Sequence, residues 1–312
     1  MSALDAARAW ADARTFHHSE FPPERLRDER SGSVSVCLPA REEAATIGAT
    51  VEQLIELRKL GAIDQVVVID AASADGTADI AAHLGAEVHQ QSELLPELGN
   101  VQGKGDALWR ALTVLDGDVI CFLDADSLDF GAHFATGMVG PLVCGPPEIQ
   151  LVKGAYRRPL KLGEVALPEG GGRVTELMAR PLLNLFYPEL AGVRQPLAGE
   201  IAARRSLFER LPFTSGYGIE IAMLIDAYRE VGLDGLAQVD LEVRQNRHQP
   251  LGDLSAMAYA VLRAVALRLE REGRLRGLET EGLLLPRDGG LEEAAPALVE
   301  RPPLTSFLAG RS

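Results

Sequence analysis

The apolar run Val119-Ile120-Cys121-Phe122-Leu123 ends on the acidic triplet Asp124-Ala125-Asp126, and this junction constrains the chain more than any other stretch. A run with no polar position has two faces to bury, the pattern of a strand inside a parallel sheet. In open α/β sheets, ligands collect beyond the carboxyl ends of such strands. The triplet therefore delivers two carboxylates to a binding rim. Hard divalent cations such as Mg²⁺ take oxygen ligands and share them with phosphate. An isolated Asp-x-Asp is also ordinary loop sequence, so the rest of the chain has to decide.

Residues 33–150 alternate short β-rich runs with helical patterns, as a parallel sheet with crossovers requires. Strands are expected at 33–38, ending at Pro39, at 65–69, ending on Asp70, at 87–89 and at 149–156. One helix is expected after a Thr46 cap, with Ile47, Val51, Leu54 and Ile55 on one face. Others are expected at 77–84, after Asp75 and Gly76, and at 104–115. Past Gly170-Gly171-Gly172, helices are expected at 174–186, 219–231 and 253–272, with a strand at 239–243. The last helix carries the stripe Leu254, Met257, Ala258, Val261, Leu262, Val265 and Leu269, which suits plain core packing or a second subunit. From Gly277 onward Pro, Gly and Glu dominate, and a loose tail or arm is expected.

Composition excludes several classes. Apolar residues make up 46% and charged residues 24% of the 312, ordinary for a soluble enzyme with a sizeable core. No apolar stretch approaches the ~20 residues that span a bilayer. The first 30 residues are charge-rich and lack the apolar centre of a secretion signal. Three cysteines, Cys37, Cys121 and Cys144, lack metal-ligand spacing and read as reduced thiols of a cytoplasmic protein. A net charge of -14 argues against a nucleic-acid partner.

Several polar groups fall at strand ends or helix starts. Glu43, Asp70 and Ser73 offer acceptors for a nucleoside, or alternatively cap helices and turns. Lys104, between Gly103 and Gly105 at a helix start, is a point charge for a phosphate, or part of a surface turn. Gly172-Arg173-Val174-Thr175 combines a bidentate Arg with a hydroxyl at a helix start, an anion site or a mobile capped loop. Tyr217 and Glu220 stand at another helix entrance, and Arg244, Asn246, Arg247 and His248 cluster after a strand.

These landmarks, in this order, resemble the GT-A glycosyltransferases, and among them the glucosyl-3-phosphoglycerate and mannosyl-3-phosphoglycerate synthases. The resemblance spans the region from Val34 to Ala258. It is carried by Leu38-Pro39-Ala40 with Glu43, by GKGDALWR from Gly103 and by Tyr156-Arg157-Arg158-Pro159. GGGRVTEL from Gly170, Arg180-Pro181-Leu182-Leu183, QPLAGE from Gln195 and GYGIE from Gly216 add to it. The resemblance implies an α/β, Rossmann-like fold, a mostly parallel sheet flanked by helices, with a largely helical C-terminal part that binds the acceptor. It implies retaining transfer of a hexose from GDP-mannose or UDP-glucose to the 2-hydroxyl of 3-phosphoglycerate, with Mg²⁺, Mn²⁺ or Co²⁺. A cytoplasmic homodimer is implied too. The expected organisation is a helical segment over 1–30, a nucleotide-sugar half over 31–150, an acceptor and dimerisation half over 151–276, and a tail over 277–312.

Matched residue by residue, the resemblance gives Pro39, Glu43, Ser73 and Lys104 to the nucleotide, with Asp70 added from its strand-end position. Asp124, Ala125 and Asp126 become the acidic motif, Asp126 being the direct metal ligand. Gly172, Arg173, Val174 and Thr175 receive the phosphoglycerate, together with Asn246. Tyr217, Glu220 and Arg244 border the donor. The expected catalytic set is Asp126, Lys104 and Glu220. Two departures stand out: Ala125 replaces the Ser of glucosyl members, and Asn246-Arg247-His248 replaces their His-Arg-Asn. His248 is therefore the expected second metal ligand, ahead of Asn246, and the donor expectation leans to mannose with glucose also accepted. Two competing readings are a related transferase acting on a polyprenyl phosphate and a non-catalytic nucleotide-sugar sensor.

Overall fold

β-Branched side chains fit a pleated sheet and crowd a helix, and the runs richest in them form an eight-stranded sheet in the computed structural model of this chain. The structure describes residues 1–162, 165–167, 171–245, 254–277, 283–287, 290–294 and 298–310. The chain begins with α1 (Ala3–Arg14), β1 (Thr15–His17) and α2 (Pro23–Glu29). Next come β2 (Val34–Ala40), α3 (Ile47–Leu60), β3 (Gln65–Asp70), α4 (Thr77–His83) and β4 (Glu87–Gln90). Then follow α5 (Lys104–Ala111), β5 (Val119–Phe122), α6 (Ala132–Val143) and β6 (Leu151–Arg157). A small hairpin, β7 (Leu160–Leu162) and β8 (Val165–Leu167), precedes a π-helical turn, Thr175–Ala179, that runs into α7 (Arg180–Phe186). The chain continues through β9 (Ile201–Arg204), α8 (Arg205–Phe208), β10 (Phe213–Thr214) and α9 (Ile219–Val231). After β11 (Leu236–Val243) and α10 (Leu254–Arg271) come β12 (Leu283–Arg287), β13 (Gly290–Ala294), β14 (Glu300–Arg301) and α11 (Leu304–Ala309).

The strand order is β1-β11-β6-β9-β5-β2-β3-β4. β9 runs antiparallel to β5 and β6, and the other pairings in this sheet are parallel. The expected class, a mostly parallel α/β sheet between helices, is the class observed. Side-chain alternation divides the core: Val67 and Ile69 of β3 join one apolar cluster, with α5, α9 and α10, while Val66 and Val68 join another, with α3 and α6. Each fully buried Val or Ile contributes roughly 1.5–3 kcal/mol, so the register of β3 is strongly specified.

Several expectations need correction. β2 extends through Pro39 to Ala40, because β5 pairs only as far as Cys37 and the missing N–H of Pro39 lies beyond that ladder. Thr46 precedes α3 without a side-chain cap; its hydroxyl donates to the Glu43 carbonyl at 3.3 Å. α5 stops at Ala111, where the chain tightens into i→i+3 bonds and the Arg110 carbonyl accepts both the Thr113 N–H at 3.1 Å and its hydroxyl at 2.7 Å. The N-terminal segment is not wholly helical, since β1 adds an edge strand beside β11. α6 escaped the sequence reading because Gly137, Gly140 and Pro141 depress its helix propensity. Those glycines serve packing: a Cβ at Gly140 would lie 2.1 Å from the Phe21 ring. The tail is also less loose than expected. Arg301 pairs with buried Asp106 at 2.7 Å, Trp109 Nε1 donates to the Pro302 carbonyl at 2.9 Å, and Phe307 packs edge-on against Trp109.

Candidate active site

The carboxyl ends of β2, β5 and β6 open onto a cleft of about 800 Å³. β5 brings Asp124, Ala125 and Asp126 to its floor. The Gln195 to Glu200 loop crosses directly above: a Cβ at Gly199 would sit 2.1 Å from Asp124 Oδ2, so glycine alone allows this approach. Lys104, the first residue of α5, enters after Gly103, whose φ of 89° is a left-handed conformation that suits glycine. Its Nζ lies 2.6 Å from Asp124 Oδ1 and 3.1 Å from Glu220 Oε1, in the first turn of α9.

Arg244 follows β11 and is buried. It donates to Asp124 Oδ2 at 3.3 Å and to Asp126 Oδ1 at 3.0 Å, and it is ion-paired with buried Glu200. Glu200 Oε2 also accepts from the Tyr156 hydroxyl at 2.8 Å. Within this network four carboxylates share two cations, Lys104 and Arg244. Burial disfavours the charge on Asp124, yet Lys104 and Arg244 overcome it and hold the carboxyl well below the usual carboxylate range. Burial likewise works against the Lys104 ammonium, but Asp124 and Glu220 hold it above the ordinary lysine value. Asp124 and Lys104 therefore stay charged at neutral pH. Lys153 of β6 lies beneath them, donating to the Ala198 carbonyl, and burial pushes it down to about 8.

The facing wall is the loop Gly171 to Thr175. Gly172 has a φ of 73°, and the chain then turns helical at Arg173 and Val174. Thr175 Oγ1 is buried with no hydrogen-bond partner among the described residues, an orphan donor. Arg158 joins this wall, its guanidinium 5.6 Å from the Tyr156 ring centroid. Pro39 and Glu43 border one side of the cleft, and Tyr217, 55% exposed, stands at its mouth.

The structure thus gathers Pro39, Glu43, Lys104, Asp124, Ala125, Asp126, the Gly172 to Thr175 loop, Tyr217, Glu220 and Arg244 around one space. Asp70 and Ser73 stand apart from its lining. Asp70 is buried and accepts from Ser73 N at 3.0 Å and from Gln90 Nε2 at 2.9 Å, while Ser73 Oγ accepts from Glu42 N at 2.8 Å. Ser73 thereby ties the loops after β2 and β3 together, while Asp70 fastens the loop after β3 to β4. Asn246 and His248 fall outside the described residues. Sequence reasoning gave no role to Gly199, Glu200 or Arg158, and it read Leu254, Met257 and Val261 as packing, whereas all three line the cleft.

Comparison with known proteins agrees with this geometry. Residues 35–134 match Glycosyl transferase family 2. The glucosyl-3-phosphoglycerate synthase of Petrotoga mobilis is 42% identical over 309 residues, covering 94% of both chains. The crystal structure of mannosyl-3-phosphoglycerate synthase from Rubrobacter xylanophilus superposes with a TM-score of 0.88 at 46% identity, covering 96% of this chain and 98% of that one. Glucosyl-3-phosphoglycerate synthase from Mycobacterium tuberculosis, in complex with Mn²⁺, UDP-glucose and phosphoglyceric acid, gives 0.83 at 39% identity, covering 94% and 98%.

Proposed function

This chain belongs to the glucosyl-3-phosphoglycerate synthase family of glycosyltransferases, and we propose that its cleft moves a hexose from a nucleoside diphosphate sugar to the 2-hydroxyl of 3-phosphoglycerate, retaining the anomeric configuration. One observation carries the assignment of sites: the Asp124–Lys104–Glu220–Arg244 network and the Arg173–Thr175 loop face each other across a single space. The first wall suits a donor diphosphate and a cation. The second suits a small acid bearing a phosphate and a carboxylate. The M. tuberculosis relative's complex with UDP-glucose and phosphoglyceric acid supports this division.

Asp126 suits a hard divalent cation. Its carboxylate is 44% exposed, and among the described residues it is bonded only to Arg244. In its network, carboxylates outnumber cations. Held there, Mg²⁺ or Mn²⁺ supplies Lewis-acid neutralisation of a leaving diphosphate, worth several kcal/mol. Lys104 adds a fixed ammonium to the same wall. Arg173 grips the acceptor phosphate or carboxylate, and the Thr175 hydroxyl donates to it, which brings the acceptor hydroxyl beside the anomeric carbon. When attack comes from the face the nucleotide leaves, the departing phosphate oxygen takes the acceptor proton. No protein nucleophile or base is then required, and Glu220 contacts sugar hydroxyls instead. Pro39, Glu43, Ala125 and Tyr217 border the nucleoside and sugar.

For the donor we propose GDP-mannose alongside UDP-glucose, because Ala125 removes a hydroxyl from the acidic motif. The 46% identity to the Rubrobacter mannosyl synthase supports the same choice. A homodimer is proposed as well, supported by the exposed Leu177 and Leu185 beside the acceptor wall, and sedimentation of the purified protein tests it. Among the described residues no helix is long and apolar enough to cross a membrane. The purified protein with Mg²⁺, 3-phosphoglycerate and either donor should release nucleotide only when all three are present. Absence of release with every common nucleotide sugar would overturn the reading.

A further inference from the structure

A second set of metal-ligating side chains lies outside the cleft lining. His17 closes β1, His18 follows it, and Glu242 is the penultimate residue of β11. Glu242 Oε1 stands 3.4 Å from His18 Nε2 and 3.7 Å from His17 Nε2, and one ligand atom from each residue lies within 4.8 Å of the other two. Ligands 2.0–2.1 Å from a tetrahedral ion are about 3.3 Å apart along each edge, so two of these separations already approach that figure. Small rotations of exposed His17 close the third.

Independent features aim these groups at one point. His18 Nε2 is buried with no hydrogen-bond partner among the described residues. Glu242 has a φ of 67° within a register shift of β11 between Asp240 and Val243, a conformation that costs a non-glycine residue about 1–3 kcal/mol. That kink turns its carboxylate back toward both imidazoles. His17 Nδ1 accepts from the Ser19 N–H at 3.3 Å and lies 2.8 Å from Ser19 Oγ, two contacts that hold the ring with Nε2 turned toward Glu242. His133 of α6 lays its ring against His18, centroids 4.5 Å apart, and a Cβ at Gly137 would meet the His18 Cβ at 3.0 Å. The His18 ring is therefore fixed from two sides.

We propose that His17, His18 and Glu242 form a second, structural binding site for a borderline-soft divalent cation of the Zn²⁺ class, distinct from the oxygen-rich site at Asp126. Two imidazoles and one carboxylate favour Zn²⁺, Ni²⁺ or Cu²⁺ over Mg²⁺. The ion ties the segment after β1 to the end of β11, two residues before Arg244. It thereby steadies the guanidinium that holds Asp124, Asp126 and Glu200.

The test is Zn²⁺ titration, by calorimetry, into full-length protein freed of metal with a chelator and carrying Asp126→Asn to silence the cleft. One equivalent should bind and raise the melting midpoint. Adding Glu242→Gln, an exposed and near-isosteric change, should weaken binding by at least about tenfold, and His17→Gln should do likewise. Absence of Zn²⁺ binding in the Asp126→Asn protein, or binding that neither further substitution alters, would overturn the proposal.

Discussion

Arg244→Met isolates the energetics of the site. The guanidinium is buried, and its loss leaves Glu200, 1% exposed, with the Tyr156 hydroxyl as its remaining described side-chain partner. Removing one member of a buried ion pair costs about 3–5 kcal/mol, chiefly because the other charge stays buried and uncompensated. The other two pairs contribute less. Asp124 keeps Lys104 at 2.6 Å, and Asp126 is 44% exposed, so water screens its contact to the order of 1 kcal/mol or below. At this chain length 1 kcal/mol moves the melting midpoint by roughly 2 °C, so Arg244→Met should melt about 6–10 °C lower by scanning calorimetry. Glu200→Gln placed on top removes the stranded charge and should restore at least about half of the loss, a coupling that a double-mutant cycle reads directly. If the second substitution lowers the midpoint further, or Arg244→Met melts with the parent, the buried Glu200 charge is not what Arg244 holds in check.

Asp126→Ala should abolish turnover while moving the melting midpoint by less than about 2 °C, since its carboxylate is exposed and singly paired; retained product formation would remove its cation role. Arg173→Ala should raise KM for 3-phosphoglycerate by roughly 10- to 100-fold, matching a lost charged hydrogen bond, with little change for the donor; equal effects on both substrates would reassign the loop. Lys153 supplies a pH signature. Between about pH 8, its folded value, and 10.5, its ordinary one, the unfolded chain holds a proton that the folded chain has released, so this residue's contribution to stability climbs with pH. In denaturant titrations Lys153→Met should lack that climb, and parallel curves for parent and variant would show that Lys153 titrates normally.

The acidic floor of the cleft was legible because it sits where an uninterrupted apolar strand stops, and strand ends are where open sheets bind. The register of β3 was legible for the same local reason. What escaped depended on distance along the chain. Glu200 meets Arg244 and Tyr156 only after β9 and β11 enter the sheet, so the QPLAGE stretch that ends on it gives no sign of these partners. Asp106 looks like an exposed first-turn acid of α5 until Arg301 arrives from the tail. Asp70 and Ser73 fall outside the cleft lining, and strand-end position alone does not distinguish a side chain facing a ligand from one fastening neighbouring segments. α6 was lost because glycines chosen for close packing read as helix breakers.

The antiparallel β9 has a consequence for how the molecule is born. It fills the slot between β5 and β6, so a nascent chain ending at Gln150 would carry β5 with one bare edge, a template for wrong pairing. Synthesis must pass Arg204 before that edge is covered, and pass Val243 before β1 finds its neighbour. Such late, long-range closure slows folding and lengthens exposure to aggregation. Overexpression at low temperature should therefore raise the recoverable yield far more than it would for a protein whose strands pair in the order they are made.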